Sequence, residues 1–205
     1  MTARAGYPVP AGTVRTEDVV LGSRFIATIG VAPAADAARQ FIGAVRSGFP
    51  DATHNCWAYV AGPPGDTASI GMSDAGEPHG TAGRPMLDVL LHSGIGEIVA
   101  VVTRYFGGTK LGTGGLVRAY GGAVQHALAE LQTIQRVERV MLAVEVGYAD
   151  VARVRRLLEQ VQADIIEERF GEAVRYRAAV PVSAVALFEA GVADISAGKA
   201  RISRE

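Results

Sequence analysis

Arg104-Tyr105-Phe106-Gly107-Gly108-Thr109-Lys110-Leu111-Gly112-Thr113-Gly114-Gly115-Leu116-Val117-Arg118 joins the most apolar run of the chain, Glu97 to Tyr105, to a helical pattern running from about Leu116 to Leu131. The order strand, glycine-rich loop, helix aims unpaired backbone N–H groups and the positive end of a helix at one point, an arrangement that suits an anion. Glycine lets backbone approach such an anion with no Cβ in the way. No acidic residue lies between Ile98 and Ala129, whereas Arg104, Lys110 and Arg118 are all basic. The chain carries 18 Arg and only two Lys, so a lysine inside this loop runs against its own composition. Phosphate binding at Arg104, Gly107, Gly108, Lys110, Gly112, Gly114, Gly115 and Arg118 is one reading; a plain strand–helix connection with tight turns is the other. A nucleoside-triphosphate loop is excluded, because Thr109 and Leu111 flank Lys110 and break G-x4-G-K-[ST].

Working outward, Pro85 starts a helix carrying Met86, Leu87, Leu90 and Leu91, which Gly94 closes. Before it, a polar loop from Ser73 to Gly83 follows a hairpin of His54–Ala61 and Ala68–Met72 around Gly62-Pro63-Pro64-Gly65-Asp66. A strand over 24–31 and a helix over 34–47 precede the hairpin. The first dozen residues, with Gly6, Pro8, Pro10 and Gly12, read as a loosely held arm. Thirteen of the chain's 25 glycines fall between Gly71 and Gly122, most of them in the two loops that lead into helices.

Near residue 136 the pattern restarts. Val140, Leu142, Val144 and Val146 alternate as a half-buried strand, and 150–162 is an amphipathic helix. Ile165–Phe170 and Val174–Val180 form a hairpin around Gly171-Glu172, a short helix reaches about Ala190, and Ala200–Ile202 is a last strand. That is the β-α-β-β-α-β order of ferredoxin-like domains. The chain therefore reads as α+β with two domains, 1–136 and 137–205. Formal net charge is −1, with Lys+Arg 20 against Asp+Glu 21, which excludes a generally basic nucleic-acid binder. No apolar run approaches a membrane span or a secretory signal core, and a single cysteine fits a reducing, cytoplasmic compartment.

Two further groups carry chemistry-bearing residues. The Ser73–Gly83 loop and Arg84 gather Asp74, Glu77, His79 and Arg84, which suit acid/base work or, weakly, magnesium. They serve structure equally well, with Asp74 holding a turn, Glu77 pairing Arg84 and Thr81 capping the next helix. His54 and Cys56 share a strand face by period two, but same-face neighbours diverge, so a buried cysteine is the stronger reading. In the second domain, Arg153, Arg155, Arg156, Arg175 and Arg177 read as a solvated surface laced with Glu159 and Glu172.

Three segments together resemble the IMPACT family in its bacterial YigZ-type branch. They are Ala52-Thr53-His54-Asn55-Cys56-Trp57-Ala58-Tyr59, Gly76-Glu77-Pro78-His79-Gly80-Thr81-Ala82-Gly83-Arg84-Pro85, and the stretch from Val102 through Gly108 and Lys110 to Tyr120. The resemblance implies an N-terminal left-handed βαβ domain of the kind in a ribosomal protein, a translation elongation factor and galactokinase-type kinases. It implies a C-terminal ferredoxin-like domain similar to the last domain of elongation factor G. Ala75 stands where the family commonly has a second aspartate, and His79 where a small residue is usual. The missing carboxylate weakens any two-carboxylate or metal mechanism on that loop.

The expectation is a translation-associated regulatory factor, without enzymatic activity or cofactor, that binds RNA or the ribosome, or a translation-regulatory protein. With Arg104, Lys110 and Arg118 all contacting phosphate, log affinity would fall with log salt at a slope of about −2 to −3. An enzyme or binding protein for a phosphorylated small molecule or nucleotide is the alternative, and a protein-interaction module without nucleic acid the third.

Overall fold

A computed structural model describes residues 6–205, which fall into two compact units, Tyr7–Arg136 and Val137–Glu205. In the first, a five-stranded antiparallel sheet has the order β2-β3-β6-β4-β5. Its strands are β2 (Val14–Val20), β3 (Ser23–Val31), β4 (His54–Val60), β5 (Ile70–Ser73) and β6 (Ile98–Tyr105). Because β6 is antiparallel to both β3 and β4, those two run parallel, and helix α1 (Ala35–Gly48) links them in a βαβ unit split by β6.

The three central strands are buried on both faces, which explains why Ile98–Tyr105 is a continuous apolar run and not an alternating one. Phe25, Ala27, Ile29, Cys56, Ala58, Val60, Ile98, Ala100 and Val102 face helices α2 (Gly83–His92) and α3 (Gly112–Glu130). Tyr59, Val99 and Val101 on the other face pack against Ala38, Ile42 and Val45 of α1. At roughly 1.5–3 kcal/mol per fully buried large aliphatic side chain, these layers supply the unit's main stabilisation.

Three features depart from the expected layout: the edge strand β2 (Val14–Val20), where no strand is expected, and the two that follow. Tyr7–Pro10 is a strand, β1, paired antiparallel with β7 (Thr133–Arg136), with Val9 buried against the unit; residues 1–5 of the expected arm lie outside the described residues. A two-stranded ribbon tolerates Pro8 and Pro10, whose missing N–H groups break an interior sheet only. Helix α3 begins at Gly112, four residues before Leu116, so Gly112, Gly114 and Gly115 form its first turn and not the loop. Each glycine disfavours a helix by about 1 kcal/mol relative to alanine. Burial of Leu116, Ala119, Tyr120, Ala123 and Val124 on the sheet overrides that local preference.

The second unit has strands β8 (Arg139–Val146), β9 (Asp164–Phe170), β10 (Val174–Pro181) and β11 (Arg201–Arg204) in the order β11-β8-β10-β9. Helices α4 (Val151–Gln160) and α5 (Val185–Ile195) follow β8 and β10, giving the ferredoxin-like arrangement. Leu142, Val144, Tyr176, Val180, Leu158 and Phe188 form its core. Several of its arginines are matched by acids, though not by Glu159 and Glu172: Arg177 meets Glu205 at 2.8 Å and Glu167 at 3.5 Å, and Arg155 meets Glu168 at 2.5 Å. Among the described residues no helix is long and apolar enough to cross a membrane.

Candidate functional site

On β6 the side chains of Ile98, Ala100 and Val102 face α2 and α3, and alternation puts the next residue of that row, Arg104, at the same buried layer. A guanidinium buried to 5% exposure requires an acid partner and gets one. Arg104 Nη1 donates to Glu77 Oε1 at 2.6 Å and Nη2 to Ser23 Oγ at 3.2 Å. The guanidinium lies over two rings, 5.3 Å from the centroid of Phe25 and 5.6 Å from that of Phe106. Tyr120, from the buried face of α3, donates to the same Glu77 Oε1 at 2.7 Å. Arg104 and Glu77, expected in separate groups, thus form one ion pair, and the charge of Arg104 is answered inside the protein.

The carboxylate of Asp74 makes its hydrogen bonds to backbone. It accepts N–H groups from Gly80 at 2.8 Å, Ala82 at 3.0 Å and Gly83 at 2.8 Å, the last two at the N-terminus of α2. Partial burial pushes this carboxyl up, but the three backbone donors outweigh it, and the net direction is below the ordinary aspartate value. Asp74 therefore does the capping assigned to Thr81, whose hydroxyl instead donates to Pro78 O. His79 is fully exposed, 3.9 Å from Asp74, and Arg84 pairs with Asp88 on the α2 surface, not with Glu77. Among the described residues no group of three or more His, Cys, Asp or Glu is placed to hold a metal.

Cys56 is fully buried, 2.9 Å from Asp74 O and 3.4 Å from Tyr120 Oη. Burial pushes its thiol up to about 12, only partly offset by the Tyr120 hydrogen bond. Burial thus disfavours the thiolate, the form in which a cysteine acts as a nucleophile. His54 turns away from it: Nδ1 lies 3.0 Å from Ala75 O and Nε2 3.9 Å from Glu77 Oε2.

The loop between β6 and α3 is anchored at its start. Phe106 N donates to Thr53 Oγ1 and Gly107 N to Ser23 Oγ, each at 3.1 Å. Gly107 sits so close to the β2–β3 turn that a Cβ there would lie 1.9 Å from the carbonyl carbon of Gly22, so glycine is required. Past that anchor, Gly108, Lys110, Gly112, Gly114 and Arg118 are exposed, and Lys110 and Arg118 have no ion-pair partner among the described residues. The first turn of α3 receives no side-chain cap from Leu111 and holds no acidic residue. Its leading N–H groups have no intrahelical acceptor. A cleft of about 260 Å³ opens here, lined by Glu77, Arg104, Phe106, Lys110, Gly112 and Thr113 among others. Phe106 keeps 48% of its surface exposed at this cleft.

Ser23, Phe106 and Tyr120 were not singled out from the sequence. An arginine in an otherwise apolar strand row, and a tyrosine on the buried stripe of a helix, are signals that a polar partner must be supplied.

Residues 21–128 match the Impact N-terminal domain, and residues 144–199 match a domain of unknown function, DUF1949. The chain is 43% identical over 194 residues to IMPACT family member YigZ of Escherichia coli (strain K12), covering 95% of both chains. It is 40% identical over 195 residues to an IMPACT family member of Haemophilus influenzae, again covering 95% of both. A crystal structure described as that of a hypothetical protein superposes with a TM-score of 0.71 at 42% identity, covering 98% of this chain and 97% of that one. The chain belongs to the IMPACT family.

Proposed function

We propose that the protein is a non-enzymatic, translation-associated factor that binds single-stranded RNA at the cleft where β6 hands over to α3. The observation that carries this reading is the uncapped, acid-free first turn of α3, flanked by Lys110 and Arg118, neither of which has an ion-pair partner among the described residues. A backbone phosphate seated there meets helix N–H groups and two cations. The outer face of Phe106, whose inner side rests against the Arg104 guanidinium, offers a platform for a base.

Two features speak against a phosphorylated small molecule as the ligand. The cleft, at about 260 Å³, falls below the roughly 300–1,000 Å³ usual for enclosing a whole ligand, so one nucleotide of a longer strand fits better. At this cleft the Cys56 thiol is buried and Glu77 is held in an ion pair, so neither serves as an activated nucleophile.

With Arg104 paired internally, two cations remain, and the expected salt slope drops to about −1.4 for a single strand. Fluorescence anisotropy of a labelled oligouridylate across a salt series tests this. The Lys110→Ala/Arg118→Ala double variant should bind at least tenfold more weakly with a slope near zero. Unchanged affinity in that variant would remove the loop from the interface.

A further inference from the structure

The cleft contains a group that neither phosphate binding nor base stacking uses. Both hydrogen bonds to Glu77, from Arg104 and from Tyr120, converge on Oε1. The other oxygen, Oε2, receives none; His54 Nε2 lies 3.9 Å from it, beyond hydrogen-bond reach. Glu77 is 9% exposed and lines the cleft together with Phe106, Lys110, Gly112 and Thr113. A carboxylate held as the anion of an ion pair only accepts hydrogen bonds, so a ligand in this cleft is matched by an O–H or N–H donor. It is not matched by a second phosphate oxygen.

We infer that Glu77 reads the ribose 2′-hydroxyl, so that the cleft selects RNA over DNA. This inference rests on the RNA-binding reading of the same cleft. A nucleotide with its phosphate at the Gly112–Thr113 end of α3 and its base against Phe106 carries its ribose within the cleft that Glu77 lines. The 2′-hydroxyl is the donor that distinguishes RNA from DNA at such a position. Glu77 is fixed for this role by two neighbours: Arg104 and Tyr120 immobilise Oε1 and leave Oε2 as the free acceptor.

The test uses the full chain and three labelled octamers of one base: oligouridylate, oligodeoxyuridylate and 2′-O-methyl oligouridylate. The methylated strand keeps the RNA sugar pucker and loses the donor. The expected result is at least tenfold tighter binding of the ribo strand than of either other strand. In Glu77→Gln, which turns an amide N–H2 toward the ligand, the ribo:deoxy ratio should fall close to one. Equal affinity for ribo and deoxy strands, with both weakened by Lys110→Ala/Arg118→Ala, would overturn the role of Glu77 while leaving the RNA-binding reading intact. Equal affinity of the ribo and 2′-O-methyl strands overturns it as well, because the donor is then irrelevant. No binding of any strand overturns both. The three-strand comparison on unaltered protein decides the matter even if Glu77→Gln fails to fold.

Discussion

Two glycine-rich loops of the first unit each deliver the chain into a helix, and they treat the helix end in opposite ways. At α2 the protein supplies its own anion: Asp74 reaches back and accepts the N–H groups of Ala82 and Gly83. At α3 the first turn has no side-chain cap, and there is no acid anywhere between Ile98 and Ala129. Equal local sequence character thus hides one helix end that the protein caps with its own carboxylate and one whose first turn it leaves without a side-chain cap. What separates them is a single carboxylate, placed nine residues ahead of one helix and absent from the approach to the other.

The largest effect should come from the ion pair that joins the two loops. Glu77→Ala leaves the Arg104 guanidinium buried and unpaired, and the expected loss is about 3–5 kcal/mol in urea unfolding. A loss under about 1 kcal/mol would mean that Arg104 swings out to water, and the cleft would then have a third available cation. Next, Asp74→Ala strips three backbone N–H groups of their acceptor and should cost about 2 kcal/mol by the same measurement. It also converts the N-terminus of α2 into an uncapped end like that of α3.

Acid should act on α2 and spare α3. The folded-state value of Asp74 lies below its ordinary 3.8, so its contribution is fully present above that ordinary value and is lost as pH falls through the lowered one. The stability difference between the native chain and Asp74→Asn should therefore shrink on acidification through this window. A difference that is flat with pH would show that the carboxylate charge is not what the backbone donors hold. The smallest stability effect is expected at the other helix: Thr113→Asp places a carboxylate in the first turn of α3 and should raise stability by about 0.3–1 kcal/mol.

Much of this contrast was readable from residues alone. The acid-free stretch, the out-of-place Lys110 and the strand–loop–helix order all sit in the linear sequence, as does the βαββαβ pattern of the second unit. Helix α3 was read too short because Gly112, Gly114 and Gly115 have poor intrinsic propensity, and only the burial of Leu116 and Tyr120 against the sheet shows why the first turn forms. Strands β1 and β7 leave little local signal because each is four residues long and stabilised by a partner more than 120 residues away, and the edge strand β2 carries Arg15, Glu17 and Asp18 in place of an apolar run. The pairing of Glu77 with Arg104, and not with the nearby Arg84, is likewise tertiary. It depends on β6 lying beside β4, a neighbourhood that no local spacing encodes.

If α3, unlike α2, keeps its helix end for a phosphate from outside, a carboxylate placed in its first turn competes with RNA. Measuring oligouridylate affinity for Thr113→Asp beside Thr113→Asn tests it most directly, because the two side chains differ in charge and hardly in size. The aspartate variant should bind at least tenfold more weakly than the native chain while the asparagine variant stays within about threefold of it. Equal affinity in all three proteins would contradict the claim and place any RNA contact elsewhere on the molecule.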